Sequence, residues 1–110
     1  MTALAVFTTL DTEAAARDLA RQAVEARLAA CVQIERIESV YRWDGAVQAE
    51  PEYRLLFKTT DRAYDALAAL ILDLHPYDQP ALWAAEMARG DPGFLAWIAG
   101  NSDGGPVKTG

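Results

Sequence analysis

The spacing of apolar residues along this chain alternates between a period of two and a period near 3.6, and the changes divide it into strands and helices. Residues 4–9 form a short apolar run around Val6 and Phe7 that ends in two threonines, which predicts a first strand. Asp11 or Thr12 stands at an N-cap position. Glu13 follows in the first turn, where a carboxylate meets the positive end of the helix dipole. Ala16, Leu19, Ala20, Ala23, Val24 and Leu28 recur at helical spacing opposite Arg17, Arg21, Glu25 and Arg27, so a helix is expected to end near Ala29 or Ala30. A long strand over residues 31–43 comes next. Val32 and Ile34 share one parity, while Ile37, Ser39, Tyr41 and Trp43 share the other, which predicts a bulge or bend near Glu35 and Arg36. Asp44-Gly45 is a tight-hairpin signal, since both residues tolerate positive φ. The return strand covers residues 46–60 and places Tyr53, Leu55 and Phe57 on one face. Pro51 donates no ladder hydrogen bond, so it belongs at an edge or an irregularity.

A second helix begins after Thr60 or Asp61, with Tyr64, Leu67, Ala68, Ile71 and Leu74 as its buried stripe. It stops at His75-Pro76, because proline restricts the residue before it and cannot continue the helical ladder. Residues 75–80 make a turn bracketed by prolines, and residues 82–87 read as a fourth strand. Asp91-Pro92 is an N-cap followed by proline at the first helical position. The short helix it starts carries Phe94, Leu95, Trp97 and Ile98, with Trp97 expected in the core, and ends near Gly100. The order is βαββαβ plus a terminal helix. That is an α+β, ferredoxin-like split-βαβ arrangement, an antiparallel sheet with two helices on one face. Residues 1–101 are expected to form one domain, and the Gly-rich stretch 102–110 a flexible C-terminal tail. The hairpin strands, at about a dozen residues each, exceed the usual five or six, and edges of that length need cover. A second subunit is the simplest cover.

Composition narrows the function classes. Hydrophobic residues are 52% and charged residues 24%, a globular balance. A net charge of −6, with no Lys/Arg cluster, opposes nucleic acid and anionic membrane surfaces as partners. No apolar run approaches the ~20 residues that cross a bilayer, and the first residues lack the basic start of a signal peptide. A single cysteine, Cys31, excludes an internal disulfide. Together these point to the cytoplasm.

Several segments resemble the CutA (divalent-cation tolerance) family. They are Ala29-Ala30-Cys31-Val32, Ser39-Val40-Tyr41-Arg42-Trp43-Asp44-Gly45, Leu56-Phe57-Lys58-Thr59-Thr60, His75-Pro76-Tyr77-Asp78-Gln79-Pro80 and Phe94-Leu95-Ala96-Trp97-Ile98, in family order across roughly residues 4–100. The resemblance implies a homotrimer whose long hairpins pair between subunits, and a role in divalent-metal tolerance, chiefly toward copper. It also implies a cleft at each subunit boundary, lined from the Cys31 strand, the Lys58 strand and the His75 turn. Ala81 departs from the family pattern, which has a glutamate there. A carboxylate role at that point is missing unless Glu86 or Asp78 supplies it.

The chemistry available for such a cleft is limited. His75, the sole histidine, is a candidate copper or zinc ligand. A helix C-terminal histidine bonded to a last-turn carbonyl would account for it equally. Cys31 is a candidate soft ligand for Cu(I), although a thiol at a strand start is more often a small buried hydrophobe. Lys58, with the Thr59 and Thr60 hydroxyls assisting, could hold a small anion, and Tyr41, Trp43 and Tyr77 would line an interfacial cleft. One cysteine and one histidine cannot close a four-ligand zinc site, so a metal site would be open and completed between subunits. No orienting pair or oxyanion turn accompanies Cys31, so no enzymatic step is expected. The main rival is a trimeric PII-like signalling module that binds a small anionic metabolite or nucleotide between subunits. An acylphosphatase-like hydrolase would need a Gly-rich anion loop after the first strand, and Thr8 to Thr12 supplies none.

Overall fold

Seven elements follow in the expected order in a computed structural model that describes residues 1–104: β1 (Ala3–Leu10), α1 (Glu13–Glu25), β2 (Cys31–Trp43), β3 (Ala46–Thr60), α2 (Asp61–Leu74), β4 (Leu82–Glu86) and α3 (Pro92–Asn101). The sheet order is β2-β3-β1-β4, with every neighbouring pair antiparallel. This is the ferredoxin-like arrangement. Residues directly opposite across a ladder share a face. Val6, Leu10, Leu55 and Phe57 therefore point together toward α1 and α2, and all four are buried. Ala16, Leu19 and Ala23 of α1 and Leu67 and Ile71 of α2 close over them. Burying a side chain such as Phe57 stabilises by about 2–3 kcal/mol. The alanines let α1 sit close to the sheet.

Thr12 caps α1, its hydroxyl accepting from Ala15 N at 3.2 Å. Asp91 caps α3 in the same way, accepting from Phe94 N at 3.0 Å. The hairpin turns on Asp44 at φ 53 and Gly45 at φ 76, the two positive φ values that match a tight turn to the strand twist. β1 ends at Leu10 opposite Tyr53, so beyond that level β2 and β3 have no third strand beside them. Pro51 lies in this part, where one side of β3 is unpaired and a missing N–H costs no ladder bond. The projecting hairpin draws the molecule out to 51 × 31 × 20 Å. Among the described residues no helix is long and apolar enough to cross a membrane.

Four expectations need correction. No bulge interrupts β2: its register with β3 is unbroken from Cys31 opposite Lys58 to Trp43 opposite Ala46. The parity change arises because Val32 and Ile34 lie on the α1 side, whereas Ile37, Ser39, Tyr41 and Trp43 lie on the other face of the projecting part. Second, α1 stops at Glu25, not at Ala29 or Ala30. Arg27 takes φ 60, and Leu28 N and Arg27 N bond back to Ala23 O (2.9 Å) and Val24 O (3.1 Å), a Schellman ending without glycine. Third, Ser102, Asp103 and Gly104 are tied down rather than loose. Thr60 Oγ1 donates to Ser102 O at 3.0 Å, Asp103 pairs with Arg27 at 3.1 Å, and Gly104 N donates to Arg27 O at 3.1 Å. The rest of the expected tail, residues 105–110, lies outside the described residues. Fourth, Trp97 is exposed and Ile98 is the buried residue of α3; Val24 and Leu74 likewise point outward from the helices whose buried stripes were expected to include them.

Candidate functional site

The candidate residues fall into two groups at different levels of β3. At one level Cys31 stands directly opposite Lys58, so both side chains lie on the face away from α1 and α2. Ala30 N donates to Lys58 O at 2.9 Å, which fixes the strand start there. The Cys31 thiol is free and half-exposed. The Lys58 ammonium lies 5.4 Å from the centroid of Phe94, a cation–π contact presented by α3. Thr59 alternates to the opposite face, is fully buried, and donates its hydroxyl to Leu28 O at 2.7 Å. It cannot assist Lys58 with an anion from that position.

The second group forms where α2 ends. His75 is the C-cap. Its Nε2 lies 2.8 Å from Thr9 O, and its Nδ1 lies 3.2 Å from Tyr77 N. A carbonyl only accepts and an amide N–H only donates, so Nε2 carries the proton and Nδ1 supplies its lone pair to Tyr77. The ring is neutral and oriented, and neither nitrogen has a lone pair to spare. Burial lowers its pKa below the ordinary 6.5, while the Thr9 hydrogen bond and the charges of Asp11 and Glu52 oppose that shift. Tyr77 packs edge-on against the ring, centroids 4.7 Å apart, and donates its hydroxyl to Glu52 Oε2 at 2.9 Å. Burial, this hydrogen bond and the Glu52 charge push the Tyr77 phenol well above its ordinary value.

Glu52 and Lys58 share parity on β3 and so share a face. They are six residues apart, about 20 Å at strand rise. Cys31 and Lys58 are therefore brought together, as are His75 and Tyr77, but one chain does not unite the two groups. Among the described residues no three His, Cys, Asp or Glu side chains converge as a metal cage. Tyr41 and Trp43 lie further out on the projecting hairpin. Tyr41 OH is 3.5 Å from Glu50, and Trp43 closes the turn opposite Ala46. Neither carboxylate considered as a substitute at position 81 stands there. Glu86 pairs with Leu4, at the far end of β4, and Asp78 is exposed in the turn. Ala81 contributes its carbonyl, which accepts from Thr8 Oγ1 at 2.7 Å. Sequence reasoning missed Glu52. A two-residue turn at Asp44-Gly45 fixes the register that sets Ile37 opposite Glu52, so its level on the hairpin could have been counted out; its contact with Tyr77 is tertiary.

Comparison with known proteins adds to this geometry. A family model described as CutA1 divalent ion tolerance protein matches residues 4–101. The divalent-cation tolerance protein CutA of Thermus thermophilus is 41% identical over 98 residues, spanning 88% of this chain and 95% of the relative. The solved structure of the divalent cation tolerance protein Cut A1 from Thermus thermophilus superposes with a TM-score of 0.87 at 40% identity, covering 91% of this chain and 98% of the other. A structure from Archaeoglobus fulgidus described as a periplasmic divalent cation tolerance protein CutA gives 0.88 at 28% identity, with 91% and 98% covered.

Proposed function

The chain belongs to the CutA1 divalent ion tolerance family, and on that premise we propose that it acts without an enzymatic step, as a cytoplasmic homotrimer that takes up copper at clefts between subunits. The observation that carries this reading is the separation of its two best donors. Glu52, the partner of Tyr77, stands about 20 Å along β3 from the Cys31 level, and His75, bonded to Thr9 opposite Arg54, stands about 13 Å along and two strands across from Cys31, so one ion cannot be held by both within a subunit. A joint site needs a second copy whose His75 end meets the first copy's Cys31 end. Thiolate and imidazole suit copper. To ligate, His75 must release the Tyr77 N–H from Nδ1 or the Thr9 carbonyl from Nε2, so binding would be modest and the site open. The rival reading, an anionic ligand held at Lys58 as in PII-like modules, loses Thr59, whose hydroxyl is engaged by Leu28.

The test is a titration under reducing conditions with Cu(I) and Cu(II) against a competing chelator, with Cys31→Ala and His75→Ala beside the wild type and the mass measured by light scattering. The expected result is a trimer whose stoichiometric copper uptake weakens about tenfold or more, some 1.4 kcal/mol, in either variant. Uptake indifferent to both substitutions would remove copper from the proposal and make tolerance indirect. Subcellular fractionation of the native protein checks the cytoplasmic placement against the periplasmic description of the Archaeoglobus fulgidus relative.

A further inference from the structure

The hairpin leaves the sheet with little of its own to set its direction. β4 stops opposite Thr8 and β1 stops at Leu10 opposite Tyr53, so residues 37–52 continue as a two-stranded ribbon. Such ribbons twist more than wider sheets and have little stability alone. The turn after α2 meets this ribbon at its root. One residue beyond the end of β4, the Thr9 carbonyl accepts from His75 Nε2 at 2.8 Å. His75 Nδ1 accepts from Tyr77 N at 3.2 Å, and the two rings pack edge to face with centroids 4.7 Å apart. The Tyr77 hydroxyl then donates to Glu52 Oε2 at 2.9 Å.

These contacts close on themselves. Thr9 stands opposite Arg54, two residues along β3 from Glu52. Glu52 is the first residue of β3 without a partner on β1, so the circuit spans the point where three strands become two. Glu52 alone in it belongs to the projecting part. The others are held by the body: His75 caps α2, whose Leu67 and Ile71 lie in the core, and Pro76 fixes the backbone between the two rings. A phenol donating to a carboxylate makes a strong, charge-assisted bond, and this one is partly shielded from water. Further out, the next phenol on that face, Tyr41, reaches only Glu50, which is on the ribbon itself. We infer that the turn over residues 75–77 is a brace: through the Tyr77–Glu52 hydrogen bond it fixes the angle at which the hairpin projects from the body.

The test is amide hydrogen exchange in the intact protein, resolved to peptides by mass spectrometry. Tyr77→Phe removes only the hydroxyl and leaves the ring against His75. It should speed exchange over residues 37–52 about tenfold and leave the amides of β1 and α1 unchanged. Glu52→Ala should do the same, and the double variant should exceed neither single one, because both cut one bond. Tyr41→Phe makes the same chemical change on the same face without a tie to the body, and should leave the hairpin as it is. The body amides of each variant report its fold. Hairpin exchange unchanged in Tyr77→Phe would overturn the brace, showing that strand twist or a neighbouring copy alone directs the hairpin. So would acceleration spread evenly over the chain, the sign of a general loss of stability, or an equal effect from Tyr41→Phe.

Discussion

At position 75 one imidazole is held by two hydrogen bonds of opposite sense, Nε2–H to Thr9 O and Tyr77 N–H to Nδ1. Protonation abolishes the second, because Nδ1 then carries a hydrogen of its own. Burial disfavours the cation and outweighs the Thr9 hydrogen bond and the nearby carboxylates Asp11 and Glu52, leaving the pKa below 6.5. For a histidine whose folded pKa is depressed, the unfolded chain takes up the proton first as pH falls. The stabilisation is therefore fully present above the unfolded value and declines below it. The melting temperature should fall between about pH 7.5 and pH 5.5, and His75→Gln, which does not titrate, should flatten that dependence. Parallel slopes in the two proteins would show that the ring is not held neutral. Positions such as Thr59 carry a related lesson. Its place beside Lys58 in the sequence suggested a shared ligand, but strand alternation sends the two side chains to opposite faces, and burial commits the hydroxyl to Leu28.

At the scale of elements, the ending of α1 joins backbone conformation to a distant part of the chain. Arg27 occupies the left-handed position that glycine usually fills, at a cost of about 1 kcal/mol for a residue with a Cβ. Its side chain offsets that cost. Nε contacts both oxygens of Asp103 at 3.1 Å and Nη2 donates to Gly100 O, a side-chain clamp beside the backbone bond from Gly104 N to the Arg27 carbonyl. Two substitutions separate the terms. Arg27→Ala keeps the backbone cost and loses the clamp, so it should destabilise by about 1–2 kcal/mol. Arg27→Gly loses the same clamp but relieves the backbone, so it should be about 1 kcal/mol the more stable of the two in denaturant unfolding. Equal losses would mean that the left-handed geometry carries no cost here. This ending was not legible in the sequence because its partners sit more than 70 residues away. The bounds of β2 and β3 were legible, since Asp44-Gly45 and the alternation around Leu55 and Phe57 are local signals. The false bulge came from assuming that one face of β2 is covered along its whole length. In the structure the cover changes from α1 to nothing within the chain.

At the scale of the molecule, that uncovered length is the main feature the single chain leaves unexplained. Val40 is 73% exposed, Val47 65%, Trp83 55% and Trp43 51%, and Trp83 stacks on Phe7 at 4.4 Å on the face away from α1 and α2. A strand edge thirteen residues long with apolar residues on both faces of its outer half is the kind of surface that the proposed assembly would cover. The sequence showed the need for cover through strand length alone. It could not show which residues meet, because pairing between copies leaves no periodic signal. If trimer formation is coupled to folding, stability depends on protomer concentration. Two association terms of about 1.4 kcal/mol are shared among three protomers for each tenfold dilution, or about 0.9 kcal/mol per protomer. For a chain of this size that lowers the melting temperature by about 5 °C. Ile37→Asp puts a charge on the face away from α1 and α2, midway along the hairpin and opposite Glu52. It should reduce the mass to that of one chain, lower the melting temperature and remove its dependence on dilution. A wild type that melts at the same temperature across a hundredfold dilution and scatters as a single chain would leave the projecting hairpin without a partner copy, and with it the proposal that copper is held between subunits.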